Sequence, residues 1–164
     1  MRLFRPCARA ASVHAVDYRA LHARGVKGLI FDLDNTLARW RAGPPREEVR
    51  ALLARLQREG FRLAVVSNGR LSQRPEVVEF FRQLGIPLVY PARKPLPAGL
   101  RRALRALGLP ARAVALIGDQ LLTDVLGGNL MGLYTILVEP LDRGRESPLT
   151  KLNRGLERLL GRGG

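Results

Sequence analysis

Cysteine, histidine and lysine are all scarce in this chain, and each shortage removes a class of chemistry. A single cysteine, Cys7, excludes an intrachain disulfide. Cys7 and the only histidines, His14 and His22, lie near the N-terminus, so no set of thiolates and imidazoles is spaced to hold zinc. A metal bound here would have to be held by oxygen. No apolar run approaches the roughly 20 residues that a membrane span needs. Arg2, Arg5 and Arg9 are followed only by the short, polar stretch from Ala10 to Val16, which does not suffice for a signal peptide. The expectation is a cytoplasmic protein, with peripheral contact at the inner membrane face left open. There are no internal repeats and no low-complexity tract.

Acidic residues are also few, 14 against 28 basic ones, for a formal charge of +14. Nearly all the basic residues are arginine; the lysines are Lys27, Lys94 and Lys151. Such a surface favours anionic partners, whether nucleic acid, anionic lipid or a phosphorylated substrate, and is equally the product of a general arginine bias.

What the chain does have is a regular alternation. Its 164 residues, 46% of them hydrophobic, suit one compact domain with one core. Lys27 to Phe31 reads as a buried strand running into Asp32. Val49, Leu52, Leu53 and Leu56 recur at helical spacing, after Pro44-Pro45 and before Gly60. Phe61 to Val66 is a second strand, Glu76 to Leu84 a helix stopped by Gly85, and Ile86 to Val89 a third strand. Leu100, Ala103, Leu104 and Leu107 mark a helix stopped by Gly108, and Ala113 to Ile117 a fourth strand. Leu121, Leu122, Val125 and Leu126 mark another helix, and Tyr134 to Val138 a fifth strand. The pattern predicts an α/β fold: a three-layer, Rossmann-like, five-stranded parallel sheet with helices on both faces. Ligands of such sheets bind beyond the carboxyl ends of the strands, where Asp32, Asp34, Ser67 and Asp119 all fall.

Asp32-Leu33-Asp34-Asn35-Thr36 carries the chemistry. Residues i and i+2 of an extended segment share a face, so two carboxylates can approach one phosphoryl group. Asp32 can attack phosphorus; Asp34 can protonate the leaving oxygen and then take a proton from water. Mg²⁺ suits an all-oxygen site beside phosphate. Taken singly the pieces have plain alternatives. An acidic turn accounts for the aspartates, a turn serine for Ser67, a solvated charge for Lys94, and a helix cap for Asp119. Asp124 can likewise cap a helix or orient the neighbours of Asp119.

The joint order decides between them. Asp-x-Asp-x-Thr, then Ser67, Lys94, and Gly118-Asp119-(four residues)-Asp124 resembles the four motifs of the haloacid-dehalogenase-like phosphatases. The likeness runs from about Gly25 to Leu141. It implies Asp32 as nucleophile, Asp34 as acid/base, and Ser67, Asn68 and Lys94 around the phosphate. It also implies Mg²⁺ on the carboxylates of Asp32 and Asp119 and the main-chain carbonyl of Asp34, with Thr36 and Asp124 in support. Phe31 to Leu37, Ala92-Arg93-Lys94-Pro95, Gly118 to Asn129 and Tyr134 to Leu141 are similar to the capless YqeG-like branch, which is itself similar to mitochondrial phosphatidylglycerophosphate phosphatases. Gly69-Arg70 and a longer stretch from Leu71 to Pro75 depart from that pattern.

Neither Ala38 to Pro45 nor Arg70 to Arg93 leaves room for a cap domain, so the site should be open to a bulky substrate. Trp40, on the short flap, either contacts that substrate or packs. The division expected is a basic N-terminal segment (1–24), a phosphatase domain (25–141) and a basic amphipathic tail (142–164). Leu149, Leu152, Leu156, Leu159 and Leu160 of the tail form a stripe beside Lys151, Arg154, Arg158 and Arg162. That stripe packs on the domain or meets an anionic membrane. The substrate expected is a phosphorylated lipid headgroup such as phosphatidylglycerophosphate. A nucleotide or nucleic acid end is the alternative, and a non-catalytic basic module for RNA or protein is the reading from another class.

Overall fold

The computed structural model describes residues 2–142 together with Gly155, Leu156 and Arg158. The stripe expected in the tail lies, apart from Leu156 and Arg158, outside the described residues.

Strands β1 (Ala8–Ala10), β2 (Gly28–Asp32), β3 (Arg62–Val66), β4 (Leu88–Val89), β5 (Val114–Gly118) and β6 (Tyr134–Val138) form one sheet. Its order is β1-β6-β5-β2-β3-β4, and every pairing is parallel. The sheet therefore has six strands, not the expected five. The extra one is β1, an edge strand paired with β6 from Ala8↔Ile136 to Ala10↔Val138. Three residues with an arginine at their centre carry no readable alternation, and an edge strand is not obliged to be buried.

Helices α1 (Tyr18–Ala23), α2 (Glu47–Arg58) and α3 (Pro75–Gln83) cover one face of the sheet; α4 (Pro97–Leu107) covers the other. The alternation of β2 divides the core accordingly. Leu29 and Phe31 pack with Leu53, Leu56 and Phe81, whereas Ile30 packs with Leu100 and Ala103. Because both faces are covered, β2 and β5 are buried at every residue, which is why they read as continuous apolar runs. α2 places Glu47 and Glu48 in its first turn and Arg55 and Arg58 in its last, which complements its dipole. α1 was not foreseen: Asp17 caps it by accepting from the Ala20 amide, and Tyr18 donates its hydroxyl to the Val13 carbonyl at 2.6 Å. The helix expected around Leu121 begins as a π-turn (Leu121–Val125) that runs into α5 (Leu126–Leu130).

α4 lies so close to the loop after β4 that a Cβ on Gly99 would collide with the main chain of Ala92. Main chain cannot swing aside as a side chain can. Overpacking of this kind costs about 1–3 kcal/mol, against the up to ~1 kcal/mol that alanine gains over glycine in a helix. Gly99→Ala should therefore lower the urea midpoint; an unchanged or higher midpoint would mean that α4 can slide away from Ala92 freely.

Candidate active site

Three adjacent strands deliver the polar residues. β2 lies between β5 and β3, and the three end on Asp32, on Gly118 just before Asp119, and on Val66 just before Ser67. Parallel pairing brings those ends together at one edge of the sheet. Asp32, Thr36, Ser67, Lys94, Asp119, Thr123 and Asp124 are all buried there.

Lys94 is the centre of the group. Its Nζ lies 2.6 Å from Asp32 Oδ1 and 2.5 Å from Asp124 Oδ1, and its side chain is 2% exposed. Asn68 fixes the backbone that carries it. The Asn68 amide donates to the Lys94 carbonyl at 3.0 Å and accepts from the Lys94 N–H at 2.8 Å. Asn68, expected beside the phosphate, thus also positions the lysine and lines the cleft. Ser67 Oγ accepts the Gly69 N–H at 3.0 Å, which leaves its hydroxyl proton available to a ligand.

Asp124 reaches Lys94 from the π-turn, and its Oδ2 accepts the Gln120 N–H at 3.1 Å. The neighbouring glycine exists for this carboxylate: a Cβ on Gly118 would overlap the Asp124 side chain. Thr36 donates its single hydroxyl proton towards Asp119 Oδ1 at 3.1 Å, with Asp32 Oδ2 at 3.4 Å as the weaker acceptor. Oxygens of Asp32, Asp119 and Asp124 all lie within 4.8 Å of one another. The second oxygen of Asp119, Oδ2, is buried with no hydrogen-bond partner. A buried lone carboxylate oxygen is costly unless a proton or cation meets it. An all-oxygen cluster with such an atom fits a hard divalent cation.

Three buried acids and one ammonium leave an excess of negative charge, and the protonation equilibria follow from it. Burial, followed by the negative charge of Asp124, raises the Asp32 carboxyl to about 7, against the opposing pull of Lys94. Burial and the charges of Asp32 and Asp124 push Asp119 well above the carboxylate range. Burial works against the Lys94 charge, but Asp124 and Asp32 outweigh it and hold the ammonium above its ordinary range.

Asp34 turns outward to the flap. Its Oδ1 accepts from the Arg41 amide at 3.1 Å and from Arg74 Nη1 at 3.0 Å, and Arg74 Nη2 donates to the Ala42 carbonyl. Arg74 was not singled out from sequence. It lies in the stretch from Leu71 to Pro75 that departs from the family pattern, and that departure is the only signal that pointed near it. Asn35 has a left-handed φ of 64°; its carbonyl accepts from the Leu141 N–H at 3.0 Å and its side chain from the Asp142 N–H at 3.2 Å. A cleft of about 610 Å³ opens above the acids, walled by Trp40, Arg41, Arg70 and Arg74.

A parallel α/β sheet with two acids after its central strand, a buried lysine and a third acid on the neighbouring strand defines an enzyme of phosphoryl chemistry. The chain belongs to the haloacid-dehalogenase-like phosphatase family and is a phosphatase, with a buried acidic cluster at the carboxyl edge of its sheet. A HAD-hydrolase-like family model matches residues 91–148. The probable phosphatase YqeG of Bacillus subtilis is 37% identical over 159 residues, covering 97% of this chain and 90% of that protein. Chloroplastic phosphatidylglycerophosphate phosphatase 1 of Chlamydomonas reinhardtii is 35% identical over 147 residues, covering 86% of this chain and 55% of its own, so this chain spans about half that relative's length. In fold the chain is similar to the cobalt-bound deoxy-D-mannose-octulosonate 8-phosphate phosphatase of Haemophilus influenzae. The TM-score is 0.56 at 14% identity, covering 84% of this chain and 91% of that one. No helix among the described residues is long and apolar enough to cross a membrane.

Gly118→Ala should displace Asp124 and loosen Lys94, reducing turnover by about tenfold or more; undiminished turnover with a stable fold would remove Asp124 from the site. The carboxyl shifts also predict a pH dependence. Asp32 has a value of 3.8 when unperturbed and about 7 in the fold. Within that window the metal-free folded chain binds more protons than the unfolded chain, so its stability falls as pH rises. The metal-free melting temperature should drop between about pH 4 and pH 7, and a saturating divalent cation, which replaces the protons, should flatten the profile. A melting temperature that rises over this range without metal would contradict the site's charge balance.

Proposed function

We propose that this chain is a Mg²⁺-dependent phosphomonoesterase that works through an aspartyl-phosphate on Asp32, with phosphatidylglycerophosphate as its substrate. The observation that carries the reading is the buried, unpartnered Oδ2 of Asp119 beside the Asp32 carboxylate. Mg²⁺ would be held by the carboxylates of Asp32 and Asp119 and the main-chain carbonyl of Asp34. When bound it supplies positive charge to the phosphoryl oxygens and keeps Asp32 deprotonated.

The remaining steps belong to the protein. Lys94 orients Asp32 through Oδ1 and, with the Ser67 hydroxyl, offers donors to the phosphate oxygens. An Asp32 oxygen attacks phosphorus as the bond to the leaving oxygen breaks, and Asp34 gives that oxygen a proton. Water then attacks phosphorus of the aspartyl-phosphate. Asp34 takes the water's proton, the P–O bond to Asp32 breaks, and inorganic phosphate leaves. Arg74 and the Arg41 amide hold Oδ1 of Asp34, so Oδ2 is the oxygen left for the proton.

The lipid substrate is supported by the relatives named as phosphatidylglycerophosphate phosphatases, by the open cleft, and by the basic residues after Asp142. Phosphate release from phosphatidylglycerophosphate in anionic vesicles should require Mg²⁺. Asp32→Asn should reduce it by about a thousandfold or more, and Asp119→Ala should shift the Mg²⁺ requirement upward. Wild-type turnover by Asp32→Asn would overturn the nucleophile assignment. Faster hydrolysis of nucleotides or nucleic acid ends than of the lipid would move the substrate to that class.

A further inference from the structure

Binding a scissile phosphate leaves the arginines on the cleft wall unexplained. Arg41 and Arg70 are exposed and line the same cleft as Asp32 and Lys94. Neither has a carboxylate partner among the described residues. Arg41 is not a free-swinging surface charge: its guanidinium lies over the Trp40 ring, 4.5 Å from the centroid, on a backbone with φ of 53°. Arg74 is fixed by Asp34 and the Ala42 carbonyl, yet its Nε is buried with no hydrogen-bond partner. A buried guanidinium N–H without an acceptor is unfavourable until one arrives.

The charge balance makes the wall distinct from the floor. Lys94 is already committed to Asp32 and Asp124. Among the described residues the wall carries one acid, Asp34, against Arg41, Arg70 and Arg74. The cleft, at about 610 Å³, is far larger than one phosphoryl group and of the size that holds a whole small ligand. A tetrahedral anion is the partner that guanidinium groups recognise best.

We propose that Arg41, Arg70 and Arg74 form a second anion subsite, which takes a phosphodiester carried a few bonds from the phosphomonoester being hydrolysed. This rests on the phosphatase reading of the floor and adds a specificity determinant to it. A diester joined to a terminal monoester occurs in the headgroup of a phosphorylated anionic lipid and at the phosphorylated end of a nucleic acid. Soluble forms of both separate the sources.

The test compares kcat/KM of the full chain, with Mg²⁺, on glycerol 3-phosphate, on glycerophosphoglycerol phosphate and on a 5′-phosphorylated dinucleotide. The diester-bearing headgroup should exceed the simple monoester by about tenfold or more, and the ratio should shrink as salt rises. Arg70→Gln and Arg41→Gln should each bring the ratio towards one, losing more on the diester-bearing ligand than on glycerol 3-phosphate. A gain confined to the dinucleotide would support the subsite and assign its diester to nucleic acid. No gain on either ligand, or equal losses on all ligands in both variants, would overturn the subsite. Calorimetric titration of Asp32→Asn with glycerol 3-phosphate and glycerophosphoglycerol phosphate reads the subsite without turnover. Inactivity of the wild type on every monoester would count against the phosphatase reading alone. The subsite would then stand if the headgroup binds about tenfold more tightly than glycerol 3-phosphate, and fall if the two bind alike.

Discussion

The buried ammonium of Lys94, held between Asp32 and Asp124, is the interaction on which the rest of the site depends. Removing one partner from a buried ion pair costs about 3–5 kcal/mol, far more than the intact pair contributes to stability. The pair is therefore poorly explained as a device for holding the fold together. What it does is fix geometry. It fixes the direction of the Asp32 carboxylate, draws the π-turn against β5, and keeps three acids close without repelling the elements apart. Preorganisation of this kind lowers the cost of orienting charge during a reaction. Its supports are all local to strand ends: Asn68 grips the lysine's main chain, and Gly118 makes room for Asp124.

That arrangement also makes the cluster suited to a cation. With Lys94 satisfied by two carboxylates, the cluster retains negative charge around Asp119 Oδ2. Burial, followed by the repulsion among the acids, raises the Asp32 and Asp119 carboxyls and favours protons in the cluster when no cation is present. A hard cation of the kind proposed would take the place of those protons, and the same carboxylates would then be free to act as ligands.

Much of this was legible from the chain alone, for physical reasons that differ by residue. Asp32 and Asp119 stand out because each follows a strand buried on both faces, and such strands are unbroken apolar runs. α2 shows itself through the spacing of Val49, Leu52, Leu53 and Leu56. Lys94 is legible only through the order of the motifs, since a loop lysine has no local mark of burial. β1 and α1 were missed because three and six residues are too short for periodicity to register. The π-turn was read as ordinary helix because its apolar spacing is nearly the same. Arg74 was missed because its partner, Asp34, is 40 residues away and the chain is crowded with arginine. The grip of Asn68 on the Lys94 backbone was not legible, because nothing nearby reveals a partner 26 positions on.

The return of the chain to Asn35 has a mechanical consequence. Leu141 and Asp142, just past β6, are tied to the loop that carries Asp32 and Asp34. Leu141 and Asp142 therefore lie on the cleft side of the molecule, beside the acidic loop. Two amides from the end of β6 thus clasp the left-handed turn at Asn35, and the loop that carries Asp34 cannot shift without breaking both.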